Sequence, residues 1–146
     1  MCGFCEIVAG RAPASVVYRD ALCCAFMDIQ PINPGHLLVV PNLHATGLAE
    51  LDPAAGAALF MAAQRLAQVL RQSGLRCEGI NLLLADGAPA GQEVFHVHLH
   101  VIPRFQGDGF GLRFGPNHKV RPPRAELDAV AARLAGVLNT SDQTGA

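Results

Sequence analysis

The sequence predicts an α+β domain, in which an antiparallel sheet of about five strands packs with one long central helix and a C-terminal helix. Three observations lead to this fold class. Short apolar segments are bounded by turn residues, as expected for strands. One long segment, at 52–73, has helical periodicity instead. The connections between the segments are short, which favours antiparallel pairing.

The predicted strands lie on both sides of the long helix. Before it, residues 16–31 form two short strands around a turn, and the run GHLLVVP at 35–41 is a buried strand that ends at a proline. After it, GINLLLADG at 79–87 is another apolar strand, and EVFHVHLHVIPR at 93–104 is a long alternating one. These segments supply the predicted sheet.

The central helix has clear boundary signals. Asp52 is a suitable N-cap, Pro53 suits the first turn, and Gly74 suits the exit. Helical spacing predicts an apolar face that packs on the sheet, formed by Leu59, Phe60, Ala63, Leu66, Val69 and Leu70.

The chain, at 146 residues, is long enough to bury a core, and we expect a single domain over 1–138. Its closing helix lies in RAELDAVAARLAGVL, and a flexible tail follows at 139–146. The net charge of −1 gives no support for a surface that binds long nucleic acid.

The sequence has no segment that predicts export or a membrane span. The N-terminal residues lack the basic and apolar regions of a signal peptide, and no uncharged apolar stretch reaches about 20 residues. The five cysteines, two of them adjacent, do not suggest a disulfide framework. We therefore expect a cytoplasmic protein.

Three histidines stand at every second position in HVHLHVIPR. In a strand, His96, His98 and His100 share one face, while the apolar residues between them face the other way. The apolar face is expected to lie under the long helix, so the imidazoles occupy the functional face.

Three explanations compete for these histidines. The strand could carry them on an ordinary polar face. Two of them could bind a catalytic zinc together with a third ligand and a water. One imidazole could act as a nucleophile, with the others as orienting partner and acid.

The neighbouring residues favour phosphoryl chemistry. His36 and His44 stand at the two ends of another predicted strand, and Arg104 ends the histidine strand. The glycine-containing loop ADGAPAGQ at 85–92 offers backbone N–H groups that can approach an anion closely.

Several ordered motifs together resemble the histidine-triad (HIT) superfamily of nucleotide hydrolases and transferases. HVHLHVI at 96–102 matches the family signature of alternating histidine and apolar residues without a mismatch. CGFCEIVAGRAPASVVYRD, AFMDIQPINPGHLLVVPNLH and AGQEVFHVHLHVIPR are similar to the family's N-terminal, central and active-site segments. The resemblance covers nearly the whole chain and implies a HIT-like fold, and the short closing segment and the N-terminal cysteines indicate the bacterial Hint-like group.

The resemblance implies a role for each of three histidines. The middle histidine of the family signature attacks the α-phosphate and forms a nucleotidyl-histidine intermediate, and here it corresponds to His98. His100 would contact the phosphate and the leaving group. His36 would complete the polar cluster that fixes tautomers.

The resemblance also implies a nucleotide site. Its apolar members would sandwich the base, Asp28 would accept hydrogen bonds from the ribose, and a loop would meet the phosphate mostly through its backbone. The positions are Phe4, Ile7, Phe26, Asp28, Ile29 and Leu38, and for the loop Gly91, Gln92 and Val94. Two residues depart from the family pattern: Ala85 replaces an Asn or Gln, and Glu93 replaces a Ser or Thr near the phosphate.

Cys2 and Cys5 form half of a zinc-site signature. Relatives with this pair hold a structural zinc, and the resemblance assigns His44 and His96 as the other two ligands, one zinc per chain. Four protein ligands leave no open position, so this zinc would not be catalytic. Cys23, Cys24 and Cys77 are interpreted as buried small hydrophobes, and His118 as a solvated loop residue.

The resulting prediction is a homodimeric nucleotide hydrolase or nucleotidyl transferase that needs no catalytic cofactor. Its substrates would be purine nucleotides or adenylated small molecules: nucleoside 5′-phosphoramidates, dinucleoside polyphosphates or related compounds. Two alternatives stay open, a non-catalytic nucleotide-binding or interaction module and a zinc hydrolase that uses the histidine strand as its metal site.

Overall fold

A computed structural model describes residues 2–143 of the chain. Eight helices and strands organise them, with two short 3-10 turns between. The helices are α1 (Gly3–Val8), α2 (Pro53–Gln72) and α3 (Arg124–Gln143), and the strands are β1 (Val16–Arg19), β2 (Cys23–Met27), β3 (Leu37–Pro41), β4 (Gly79–Leu84) and β5 (Leu99–Arg104). No helix among these residues is both long and apolar enough to span a membrane.

The strands form one sheet in the order β1-β2-β3-β5-β4, and all neighbours are antiparallel. The predicted α+β class and the antiparallel sheet of five strands are therefore confirmed. β1 and β4 lie at the two edges of the sheet.

The contacts of the chain divide it into two compact units, residues 1–110 and 111–146. The first contains the sheet with α1 and α2, and the second contains a 3-10 turn at Pro116–Lys119 and α3. The single domain over 1–138 stays a prediction. The flexible tail at 139–146 also stays a prediction: residues 139–143 continue α3, and residues 144–146 lie outside the described residues.

Helix α2 covers one face of the sheet. Asp52 caps it by accepting hydrogen bonds from the N–H groups of Ala54 and Ala55, and Ser73 ends it before Gly74, whose φ is +82°. The apolar face of the helix packs on β2, β3 and β5, and its buried members are Ala55, Leu59, Ala62, Ala63, Leu66 and Leu70. Phe60 and Val69 were predicted on this face, but they are 58% and 48% exposed because they lie beside the buried stripe.

The opposite face of the sheet has a smaller apolar cluster. Cys24, Phe26, Leu38 and Val40 are buried there against residues of α1. Side chains alternate across a strand, so Cys23 packs towards α2 while Cys24 packs towards α1. Both thiols are fully buried as predicted, and burial raises the pKa of Cys23 to about 12, whereas Cys77 is only partly buried.

The histidine strand is shorter than predicted. β5 begins at Leu99, and residues 93–98 lead into it as irregular backbone. Val97 N–H donates to the carbonyl of Ala45, in the loop after β3, instead of to a sheet partner. The predicted burial of the apolar side is confirmed, since Val97, Leu99 and Val101 belong to the core beneath α2.

Candidate active site and metal centre

Three neighbouring strands bring apolar side chains and a histidine into one row. Phe26 pairs with Leu38 in the β2–β3 register, and Leu38 pairs with His100 in the β3–β5 register. Directly opposed residues of neighbouring strands project to the same face. The sheet therefore places an aromatic ring, a leucine and an imidazole side by side on the face that α2 does not cover.

A cavity of about 450 Å³ opens above this row, which is within the size range of small-ligand sites. Its apolar wall contains Phe4, Ile7, Phe26, Ile29 and Leu38. Its polar lining residues are Asp28, Glu93, His98 and His100, and the loop adds Gly91 and Val94. All predicted nucleotide residues except Gln92 thus line one cavity. Sequence reasoning missed Pro13, Ala14, Met27 and Gln30, which also line it and which carry no motif of their own.

Gln92 is buried and organises the loop beside the cavity. Its Oε1 accepts from Gly87 N–H at 2.7 Å, and its Nε2 donates to the carbonyls of Thr46 at 2.7 Å and Val94 at 3.1 Å. The amide therefore ties the loop to the segment that follows β3, and the flanking Gly91 and Val94 face the cavity.

His98 has one nitrogen engaged and one available. Its Nδ1 lies 2.7 Å from the carbonyl oxygen of His96, and a carbonyl can only accept, so Nδ1 carries the proton. The ring is buried, 7% exposed, yet it lines the cavity. In the neutral form of the ring, this hydrogen bond therefore places the lone pair on Nε2.

His100 has the opposite tautomer to His98. The N–H of Ile32 donates to His36 Nδ1 at 3.1 Å, so the proton of neutral His36 sits on Nε2 and points at His100 Nδ1, 2.8 Å away. His100 Nδ1 is then the acceptor, and its Nε2 carries the remaining proton. His100 presents an N–H donor next to the lone pair of His98, whose ring centroid is 5.0 Å away.

Burial favours the uncharged forms of His36 and His100. It lowers the pKa of His36, and it lowers the pKa of His100 to about 4, with the neighbouring His98 and His36 adding to the effect. Asp28 opposes this shift, because its Oδ2 lies 3.5 Å from His36 Nε2 and 3.9 Å from His100 Nδ1. A carboxylate is thus in place to stabilise a proton on His100 once an anion binds.

A second cluster lies beside the first. The donor atoms of Cys2, Cys5, His44 and His96 all lie within 4.8 Å of one another. Cys2 Sγ is 3.4 Å and Cys5 Sγ is 3.5 Å from His96 Nδ1, Cys5 Sγ is 3.4 Å from His44 Nδ1, and the two Nδ1 atoms are 3.3 Å apart. On a tetrahedral zinc ion, a sulfur ligand and a nitrogen ligand lie about 3.5 Å apart, and two nitrogen ligands lie about 3.3 Å apart. The four residues therefore fit one zinc ion.

The orientation of His96 supports this fit. Its Nε2 donates to the carbonyl of Pro41 at 2.9 Å, which leaves the lone pair of Nδ1 directed at the cysteines. Helix α1 places Cys2 and Cys5 one turn apart, so both thiols face the histidines. This short helix was not predicted, since six residues are too few to show a period.

The group of Asp28, His36 and His100 also has three donors within 4.8 Å. The 2.8 Å separation of the two imidazole nitrogens is that of a hydrogen bond, however, and is shorter than the roughly 3.3 Å between two nitrogens on a tetrahedral metal. The geometry therefore favours a proton-holding pair over a metal site.

A family model for the HIT domain matches residues 9–107, about two thirds of the chain. The chain belongs to the HIT family. A HIT family protein from Bacillus anthracis has a TM-score of 0.85 and 34% identity, and the match covers 93% of this chain and 96% of that one. A zinc-bound histidine triad family protein from Mycobacterium smegmatis has a TM-score of 0.73 and 39% identity, with 93% and 96% covered. The adenylylsulfatase HINT3 of Arabidopsis thaliana is 36% identical over 134 residues, which cover 91% of this chain and 65% of that protein.

Two residues of this HIT protein depart from the pattern noted above, and only one of them lines the cavity. Ala85 is half-buried at the end of β4 and does not line it, whereas Glu93 does. His118 is exposed as predicted, and its ring stacks on Phe114 with the centroids 3.9 Å apart.

Proposed function

We propose that this HIT protein hydrolyses or transfers nucleotidyl groups at the α-phosphate, with His98 as the nucleophile. The observation that carries the proposal is the hydrogen bond from His98 Nδ1 to the carbonyl of His96. It fixes the tautomer in which Nε2 has a free lone pair at the cavity. Candidate substrates are nucleoside 5′-phosphoramidates, dinucleoside polyphosphates and related adenylated compounds.

In the first step, His98 Nε2 forms a bond to phosphorus while the bond from phosphorus to the leaving atom breaks. An anionic phosphate beside His100 favours protonation of that ring at Nδ1, so one proton is taken up with the substrate, and the Nε2–H of His36 then turns from His100 to Asp28 Oδ2. His100 Nε2 passes its proton to the leaving atom, and Asp28 stabilises the transient charge at the Nδ1 side. The product of this step is a nucleotidyl-His98 intermediate and a neutral leaving group.

In the second step, water attacks phosphorus and the bond to His98 Nε2 breaks. His100, now neutral, takes the proton of the water, and His98 returns to its starting tautomer because Nδ1 never leaves the carbonyl of His96. Splitting the displacement in this way replaces one difficult step with two easier ones.

The nucleoside would lie at the apolar end of the cavity. Phe4, Ile7, Phe26 and Leu38 offer flat and branched surfaces for a purine base, and Ile29, which is 95% exposed, would close over it. Asp28 would accept hydrogen bonds from the ribose hydroxyls. Backbone N–H groups near Gly91 and Val94, held by the buried amide of Gln92, would meet the phosphate.

Zinc would occupy the site of Cys2, Cys5, His44 and His96. When bound there it supplies a structural link and no catalytic step, because four protein ligands leave no coordination position for substrate. The link would join α1, which carries Phe4 and Ile7 of the apolar wall, to the backbone around His98. The zinc-bound relative from Mycobacterium smegmatis supports this proposal.

Two exposed apolar features support a homodimer. β4 is an edge strand whose Leu82 and Leu83 are 38% and 43% exposed. In the second unit, α3 has a stripe with 3-4-3 spacing whose members are between 42% and 66% exposed: Leu127, Val130, Leu134 and Val137. Two antiparallel copies of this helix would oppose Leu127 to Val137 and Val130 to Leu134, so the stripe is complementary to itself.

The nucleophile assignment is tested with His98→Ala against adenosine 5′-phosphoramidate. We expect hydrolysis to fall by at least about a thousandfold, the scale on which removal of a nucleophile acts. AMP should still bind, because the apolar wall and Asp28 are unchanged. His118→Ala, which removes an exposed imidazole, is the matched control and should keep full activity. Normal hydrolysis by His98→Ala would refute the assignment, and AMP binding without any hydrolysis by the wild-type protein would favour a binding module.

A further inference from the structure

Two cavities meet at Glu93. The nucleotide cavity and a second, more open cavity of about 500 Å³ are both lined by Glu93 and Val94. Beyond them, the second cavity is lined by Gly3, Thr46 and Phe95 together with two residues of the metal cluster. A ligand that spans both cavities would therefore lie beside the Glu93 side chain.

The charges along this route have one sign. Among the described residues that line the two cavities, none is Lys or Arg, and the only carboxylates are those of Asp28 and Glu93. Asp28 is engaged, since it accepts from Gln30 N–H and lies beside His36 and His100. Glu93 is exposed, and within the described part of the chain no side-chain hydrogen bond or ion pair occupies its carboxylate.

We propose that Glu93 selects substrates by the charge of the leaving group, favouring amines, above all cationic ones, over anionic groups such as sulfate or polyphosphate. The proposal rests on the nucleotidyl-transfer function proposed above. In an AMP phosphoramidate of a diamine, the free ammonium group would follow the route past Glu93 and be attracted by its carboxylate. A sulfate or phosphate leaving group on the same route would be repelled.

The size of the effect follows from Coulomb's law. Unit charges about 8 Å apart interact by about 0.5 kcal/mol in a water-like medium, which changes a rate by about 2.4-fold, and by more in a drier one. The changes have opposite signs for cationic and anionic leaving groups. Removing the charge of Glu93 should therefore lower the ratio of kcat/KM for cationic over anionic substrates by at least about sixfold.

The test compares Glu93→Gln, Glu93→Asp and the wild-type protein on three substrates. These are the AMP phosphoramidate of 1,2-diaminoethane, adenosine 5′-phosphoramidate and adenylyl sulfate, with AMP release measured at low salt. Glu93→Gln should lower the ratio by this factor, Glu93→Asp should keep most of the wild-type ratio, and roughly 0.5 M salt should lower the ratio of the wild-type protein. Glu78→Gln removes an equal charge at the far end of β4 and β5 and should leave the ratio unchanged.

The outcomes separate the two proposals. A wild-type protein that cleaves the substrates with a ratio that Glu93→Gln does not alter overturns the role of Glu93 and leaves the nucleotidyl chemistry intact. The same conclusion follows if Glu78→Gln changes the ratio as much as Glu93→Gln does. A wild-type protein that cleaves none of the three substrates overturns the proposed function and the selectivity together.

Discussion

Acidification should destabilise the fold through His100, and the structure gives both the sign and the size. Burial lowers the pKa of His100 to about 4, whereas an unfolded histidine titrates near 6.5. Between these values the unfolded chain binds more protons than the folded one, so stability falls as the pH falls. Between pH 7 and pH 5 this proton linkage lowers the free energy of unfolding by about 2 kcal/mol. The figure is an upper bound because 21% of the His100 side chain is exposed.

The assay is urea unfolding of the wild-type protein and His100→Asn at both pH values. The asparagine does not titrate, so we expect the wild-type protein to lose about 1–2 kcal/mol more than the variant between pH 7 and pH 5. Using the difference removes the contributions of titratable groups that do not interact with the His100 ring. His118→Asn is the matched control and should follow the wild-type curve. Equal losses in the wild-type protein and His100→Asn would refute the idea that burial holds His100 neutral.

Four further predictions concern the metal, the core, the loop and the assembly. Elemental analysis should find one zinc per chain, and Cys2→Ser with Cys5→Ser should remove it, so retained zinc would contradict the ligand set. Leu59→Ala should lower the free energy of unfolding by roughly 2–5 kcal/mol, whereas the exposed neighbour Phe60→Ala should cost less than about 1 kcal/mol in the same urea titration. Gln92→Ala should raise KM for adenosine 5′-phosphoramidate several-fold by leaving buried loop groups unpaired. An unchanged KM would show that the loop does not contribute to binding of the phosphate. Sedimentation should show a dimer that Leu134→Asp weakens. A dimer insensitive to this change would exclude the α3 stripe as its interface.

Local rules predicted most of the fold. The helix α2 could be bounded within one residue because Asp52, Pro53 and Gly74 act through neighbouring backbone. Its buried face was predicted less well, because helical spacing allowed a stripe wide enough to include Phe60 and Val69. Only the packing against β2, β3 and β5 shows which side chains the sheet covers.

The start of the histidine strand shows where alternation alone misleads. Residues 93–98 alternate as a strand would, but their backbone is used elsewhere: Val97 N–H bonds to Ala45 and the His96 ring reaches the carbonyl of Pro41. These partners lie about fifty residues away in the chain. The sequence signal was compatible with a strand, and long-range contacts decided that pairing begins only at Leu99.

The three histidines have one spacing but three different chemical states, and the difference comes from the second nitrogen of each ring. His96 uses Nε2 on a carbonyl and keeps the lone pair of Nδ1 for the cysteines. His98 uses Nδ1 on a carbonyl and keeps the lone pair of Nε2 for the cavity. His100 accepts at Nδ1 from His36 and so keeps a proton on Nε2. A motif can specify that three imidazoles alternate along the backbone, but whether each is a ligand, a nucleophile or a donor depends on the group that its other nitrogen meets.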